Sequence, residues 1–251
     1  LDRNGSAGIE GIDGDANLLR IVVCAGETLR FGVRSKRAGC AVVETYTFEY
    51  KLEGAGTLKA AEIIAGGGVI AFRTDTFYGL GANPYDRTAV ERIRELKGRE
   101  DDKPILLLIS DFDAVRRLVV NPSPAYALAA EKFWPGPLTI IGAADPALPE
   151  AITAGTGTVG VRLPADEELR KFVSECGGVL TATSANPSGR APARSAQEVA
   201  EYFPSGIDLI VDGGESDATE PSTVLNVLTN PPRVVREGVI TRDAIERLFP
   251  G

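Results

Sequence analysis

Beyond residue 56 the chain alternates short, almost wholly apolar runs with segments whose apolar residues recur every three or four positions. The runs Val69–Phe72, Ile105–Ile109, 138–142, 158–162, 178–182, 207–211 and 223–227 are short and largely apolar, so they read as strands, several of them buried, and the Val-rich 233–236 reads as a further strand. The intervening segments carry helix signals. Thr57 is placed to cap a helix ending at Ala65, stopped by Gly66-Gly67-Gly68. Asp86 precedes Val90, Ile93 and Leu96, and Gly98 closes that helix; Asp166 opens another with Leu169, Phe172, Val173 and Cys176 on one face. Ser195-Ala-Gln-Glu198 has the spacing of a capping box. This alternation predicts an α/β fold, a twisted mixed sheet with flanking helices. No internal repeat or low-complexity block interrupts it.

Upstream the pattern differs. Residues 1 to about 16, rich in Gly and Asp, read as a flexible tail. Between Leu18 and Leu52 the runs LLRIVVCA, ETLRFGV and AVVETYTFEYKL, separated by Ala25-Gly26 and Arg37-Ala38-Gly39, predict a small antiparallel β unit. Glu53-Gly-Ala-Gly56 looks like a joint. The chain is thus divided into an N-terminal extension of unknown role, residues 1–56, and an α/β domain, residues 57–251.

Composition removes much chemistry. The chain has no His, so no Ser-His-Asp triad, Cys-His dyad or His-ligated metal centre is available from it alone. Cys24, Cys40 and Cys176 are too few and too scattered for a disulfide framework or a zinc site; they read as thiols in a reducing compartment, the cytoplasm. No apolar run approaches the roughly 20 residues that span a bilayer, and the polar, acidic N-terminus is no secretory signal. With 27 Lys plus Arg against 35 Asp plus Glu, the net charge of −8 opposes a broad basic surface for nucleic acid but permits a local basic pocket. There is neither a G-x-x-x-x-G-K-[ST] loop nor a G-x-G-x-x-G turn opening a helix. Asp101 and Asp102, adjacent in sequence, read as loop charges and not as carboxylates flanking a bond.

What remains is a set of polar residues at strand and helix ends. Thr74-Asp-Thr-Phe-Tyr-Gly79 follows the strand Val69–Phe72, at the edge where open α/β sheets bind ligands. Lys97, Arg99 and Lys103 place three cations between a helix end and a buried strand. Arg162 ends the apolar strand that begins at Thr158, and burying its charge demands a ligand or a carboxylate nearby. Thr183-Ser184-Ala185-Asn186, Ser222-Thr223 and Arg236 add hydroxyl, amide and guanidinium groups. Brought together, these residues suit a polyanion, with triphosphate the natural candidate.

The runs TDTFYGLGANPYD, LKGREDDKPILLLI, WPGPLT, TVGVRLP, TSANPSG, VDGG and STVLNV, in that order, resemble the YrdC-like family of threonylcarbamoyl-AMP synthases over residues 57 to 250. The first 56 residues have no counterpart in the family's short form. The end shortly after Arg236 resembles that short form, without the extra C-terminal domain of longer members. The resemblance implies a sheet curled around a basic cavity. It also implies an activity: L-threonine, bicarbonate or CO2 and ATP yield threonylcarbamoyl-adenylate and pyrophosphate, for N6-threonylcarbamoyladenosine in tRNA, with a separate transferase downstream. On this resemblance Thr76, Arg162, Ala182 and Thr223 line the threonine site. Arg99, Lys103, Thr158, Ser184, Asn186 and Arg236 hold ATP, and Lys97, Arg99 and Arg162 stabilise the leaving pyrophosphate. Mg²⁺ is expected on the phosphates, held by substrate and water, with no protein metal site.

Two departures stand out: Arg73 where many relatives have Pro, and Leu108 where some have a threonine-contacting His that short bacterial forms often lack. Arg73 either adds a cation at the cavity rim or points to solvent. Two other readings stay open. One is a double-stranded RNA or tRNA-binding module, which the net charge opposes. The other is a carbamoyl-transfer domain of the hydrogenase-maturation type, whose usual Cys-rich and acylphosphatase segments are missing here.

Overall fold

The computed structural model describes residues 30–32, 45–49, 55–98 and 103–249. Cys24, Cys40, Arg99, Asp101, Asp102 and the expected N-terminal tail lie outside them. The strands are β1 Arg30–Gly32, β2 Thr45–Glu49, β3 Ile70–Arg73, β4 Tyr78–Gly81, β5 Leu107–Ile109, β6 Leu138–Ala143, β7 Thr158–Arg162, β8 Val179–Thr181, β9 Thr183–Ser184, β10 Leu209–Asp212, β11 Thr223–Asn226 and β12 Arg233–Arg236. The helices are α1 Ala55–Ala65, α2 Arg87–Lys97, α3 Pro124–Phe133, α4 Glu150–Thr153, α5 Glu167–Glu175, α6 Ala196–Tyr202 and α7 Arg242–Glu246. Among the described residues the strands form two mixed six-stranded sheets, ordered β1-β2-β10-β3-β4-β9 and β12-β11-β6-β7-β5-β8.

The expected strand at 178–182 is where the two sheets meet. β8 pairs with β5 in one sheet and β9 with β4 in the other, so the chain changes sheet at Ala182. The junction is bonded across: Thr181 N donates to Ala82 O (3.0 Å) and Ala82 N to Thr181 Oγ1 (2.8 Å). In the upstream stretch β1 and β2 pair antiparallel, and β2 also runs parallel to β10, extending the sheet that holds β3.

Local chemistry explains most element ends. The Asp86 carboxylate accepts from Ala89 N, and Gly98 at φ 54° closes α2 in the left-handed region. Asp166 accepts from Glu168 N and Leu169 N. Ser195 caps α6, while the Glu198 carboxylate reaches back to Arg194 N, one residue before the cap. Helix α1 starts at Ala55, so Thr57 lies inside it and is not its cap. Gly67, at φ 79°, ends it as expected.

The core has two parts. The larger joins α2, α3 and α6 to both sheets; the smaller gathers Ala60 and Ile64 of α1, Leu169, Phe172 and Val173 of α5, and Ile70, Phe72, Leu108, Leu180 and Leu209 from the strands. The Phe72 and Phe172 rings lie 5.4 Å apart at their centroids. Cys176 is buried in this smaller cluster, and burial pushes its thiol up to about 12.

Candidate active site

Strand register builds the site. Leu180 of β8 lies opposite Leu108 of β5, and Leu108 opposite Arg162 of β7. Ile140 opposite Val161 puts the next antiparallel pair at Thr139 and Arg162. Thr139 is opposite Val224, and Val224 opposite Arg236. Cross-strand partners share a face. One row therefore runs from the apolar cluster at Leu180 and Leu108 to Arg162, Thr139 and Arg236. Leu108 is the apolar cross-strand neighbour of Arg162.

Arg162 is 5% exposed. Its Nη2 donates to Asp75 Oδ1 at 2.8 Å in a nearly buried ion pair, while Nη1 is buried without a hydrogen-bond partner. Burial pushes the guanidinium down from its ordinary value, and Asp75 pulls it back up. A buried charge whose donors are only half used is unfavourable by about 1–3 kcal/mol for the missing bond. It marks a place for an acceptor. Asp75 was missed as a site residue, although the demand for a carboxylate or ligand near Arg162 pointed to it.

Arg236 is exposed as a residue, but its guanidinium rests on Ser222, donating to Ser222 O (Nε 3.2 Å, Nη2 2.8 Å) and to Ser222 Oγ (3.1 Å). Ser222 Oγ in turn pairs with Thr139 Oγ1 at 3.1 Å. Burial first, and then the Arg162 charge, push Arg236 down from its ordinary value. Thr223 is fully buried; its hydroxyl donates to Ile240 O (2.6 Å) and accepts from Gly238 N and Ile240 N, so it pins the turn after β12.

Thr76 adjoins Asp75, its hydroxyl 3.0 Å from Thr74 Oγ1, and its carbonyl accepts from Ser216 Oγ. Tyr78 fastens the Asp212-Gly213-Gly214 loop: its hydroxyl bonds Gly214 O (2.8 Å) and Asp212 Oδ1 (3.2 Å) and accepts from Gly213 N (3.0 Å). Chiefly burial pushes that phenol up. Arg73 pairs with Tyr78 and so shares its face of β3, opposite Phe72 and the smaller cluster. Arg73 is half-buried and its Nε is buried without a hydrogen-bond partner, so it does not simply point to solvent.

Around Lys97 the arrangement is different. Buried at the end of α2, its ammonium donates to Ser184 O and Asn186 O (2.8 Å). Lys97, Ser184 and Asn186 thus come together. The Asn186 amide nitrogen bonds Pro187 O and Arg190 O, while its Oδ1 is buried without a partner. Thr158 sits at the far end of β7 from Arg162, about 13 Å along the strand, its hydroxyl 2.8 Å from Thr156 Oγ1. The side chain of Lys103 is exposed, and its carbonyl accepts from Arg94 Nη1. Ala182, at the sheet switch, packs against the smaller cluster that includes Leu108. Among the described residues no three His, Cys, Asp or Glu side chains converge as metal ligands, and no helix is long and apolar enough to cross a membrane.

Guanidinium, hydroxyl and amide groups gathered at strand ends, with Arg162 half satisfied, make this an α/β protein with a polar site at the edge of its sheets. The Sua5_yciO_yrdC family model, described as "Telomere recombination", matches residues 62–238, and the chain belongs to that family. It is 40% identical over 190 residues to a threonylcarbamoyl-AMP synthase of Pyrococcus abyssi, covering 76% of this chain and 56% of that one. A Bacillus subtilis protein of the same name is 39% identical over 193 residues, with the same coverage. The chain therefore spans little more than half the length of these relatives. The crystal structure of P. abyssi Sua5 complexed with L-threonine superposes with a TM-score of 0.77 at 37% identity, covering 82% of this chain and 61% of that one.

Proposed function

We propose that this chain makes threonylcarbamoyl-adenylate from L-threonine, bicarbonate or CO2 and ATP, releasing pyrophosphate, and that the product serves N6-threonylcarbamoyladenosine formation in tRNA through a downstream transferase. The observation that carries this is Arg162: a buried guanidinium with an unused N–H, in a family whose relatives bear the synthase name and include a threonine complex. The enzyme works in the cytoplasm on this reading.

No covalent enzyme intermediate is needed. The threonine amine adds to CO2, losing a proton, to give a carbamate; a carbamate oxygen attacks the α-phosphorus, and pyrophosphate leaves. The protein aligns the reactants and neutralises charge, and alignment of this kind supplies about 7–11 kcal/mol in well-oriented cases. Arg162 takes the threonine carboxylate beside Thr76 and Ala182. Arg236, Ser184 and Asn186 face the nucleotide, with Arg99, Lys103 and Thr158 along the phosphates. Lys97, which donates to two carbonyls, shapes the Ser184–Asn186 turn. Thr223 acts through the turn it pins. Apart from Asp75, which is paired to Arg162, the proposed donors are cationic or neutral, so a magnesium ion would be held by the nucleotide and water and would supply charge neutralisation.

The test is incubation with L-threonine, bicarbonate and Mg-ATP. Pyrophosphate release that requires threonine is the expected result; release without threonine, or with carbamoyl phosphate in place of threonine and bicarbonate, contradicts the proposal. An RNA shift that weakens steeply with salt, without turnover, would favour a binding module instead.

A further inference from the structure

Asp75 does more than neutralise Arg162. The turn that carries it is fixed on several sides. Thr74 Oγ1 donates to Phe77 O (2.7 Å) and accepts from Thr76 N (3.1 Å), and Ser216 Oγ donates to Thr76 O. Just beyond it Tyr78 grips the 212–214 loop. The carboxylate is held, not merely parked. An arginine and a carboxylate free to adjust commonly pair through two parallel bonds. Here a single bond is made, Nη2 to Oδ1, and Nη1 stays buried and unpaired. Asp75 thus offsets the charge of Arg162 while leaving one of its donors unspent. Arg162 and Asp75 together carry no net charge. A zwitterionic amino acid adds none, whereas a doubly charged phosphate would bring two negative charges close to the Asp75 carboxylate, in a place short of water.

We infer that Asp75 is a specificity-determining residue: its carboxylate reserves Arg162 for the carboxylate of a zwitterionic amino acid and keeps phosphate groups, those of the neighbouring nucleotide included, from occupying it. The inference rests on the reading that Arg162 receives the amino-acid carboxylate. Asp75→Asn retains an oxygen acceptor for Nη2 and removes only the charge, so the arginine stays aimed while the selection against phosphate is lost. A purely structural role would weaken both ligands together.

Calorimetric titration of the full chain with L-threonine, with inorganic phosphate, and with threonine in the presence of phosphate tests this, using wild type, Asp75→Asn and Asp75→Glu. In wild type phosphate leaves threonine binding untouched. In Asp75→Asn, phosphate affinity rises about tenfold or more, as expected for removing a like charge at ion-pair range, and phosphate competes with threonine. Asp75→Glu keeps phosphate out. Asp75→Ser removes the same charge and carries the test if the Asn variant does not fold. A folded neutral variant that binds phosphate as wild type does, or loses both ligands alike, overturns the inference. Wild type that binds no threonine overturns the site reading instead, while the phosphate titration of the neutral variant still decides the role of Asp75.

Discussion

Lys97 and Arg162 are both buried cations at the ends of regular elements, and they differ in what their hydrogens do. The Lys97 ammonium donates to the carbonyls of Ser184 and Asn186, tying the end of α2 to the turn after β9. Arg162 spends one nitrogen on Asp75 and keeps the other in hand. On the proposed reading Lys97 mainly holds backbone, while the spare buried donor of Arg162 takes the ligand. The sequence marked them differently, Lys97 as one of three cations clustered between a helix end and a strand, Arg162 as a charge ending an apolar strand.

Arg162→Lys gives the largest expected effect. Lysine keeps the charge and a bond to Asp75 but cannot present the second forked N–H, so threonine-dependent pyrophosphate release should fall about a hundredfold or more while the melting temperature moves by only about a few degrees. Equal losses of stability and turnover would erase the distinction. Lys97→Met tests the other side. Leaving two carbonyls without their donor should cost about 2–4 kcal/mol, a drop of roughly 5–10 °C in thermal melting for a chain of this size, with turnover falling in step with stability.

Much of this fold is legible in the residues. Asp86 and Gly98, Asp166, Gly67 and the apolar runs at 138–142, 158–162 and 223–227 speak through local capping and hydrophobicity, which need no knowledge of the rest of the chain. Strand β4 was hidden in a loop-like stretch, because Gly79 and Gly81 carry no strand signal. Gly81 is there for the Phe72 ring, which would lie 2.6 Å from an added Cβ, a tertiary reason invisible locally. Helix α3, apolar with little periodicity, was missed likewise. The split into two sheets at Ala182 depends on which neighbours accept each strand, and no single run encodes that. Within the site, the need for an anion beside Arg162 was readable. Its identity as Asp75, 87 positions away, was not.

Smaller effects sharpen the contrast. Ser222→Ala removes the hydroxyl between Thr139 and Arg236 but spares the Ser222 carbonyl, so it should cost about 1 kcal/mol in denaturant melts and raise the KM for ATP by roughly threefold to tenfold, leaving threonine affinity nearly unchanged. In the smaller apolar cluster, native Cys176 should resist alkylation at pH 8, read as its labelled peptide by mass spectrometry, and react freely once the chain is unfolded. With its thiol raised from 9.0 to about 12, the folded state holds the proton more tightly than the unfolded one. The associated stability is complete below about pH 9 and drains away as pH rises toward 12.

The most direct measurement is L-threonine titration into wild type and Arg162→Lys at the same pH and salt. Micromolar-to-millimolar binding in wild type that weakens by about a hundredfold in the lysine variant, with the fold intact by circular dichroism, is the result expected of a forked donor closing on a carboxylate. Equal affinity in the two proteins would mean that the buried, unspent N–H of Arg162 is not where the substrate's anion goes.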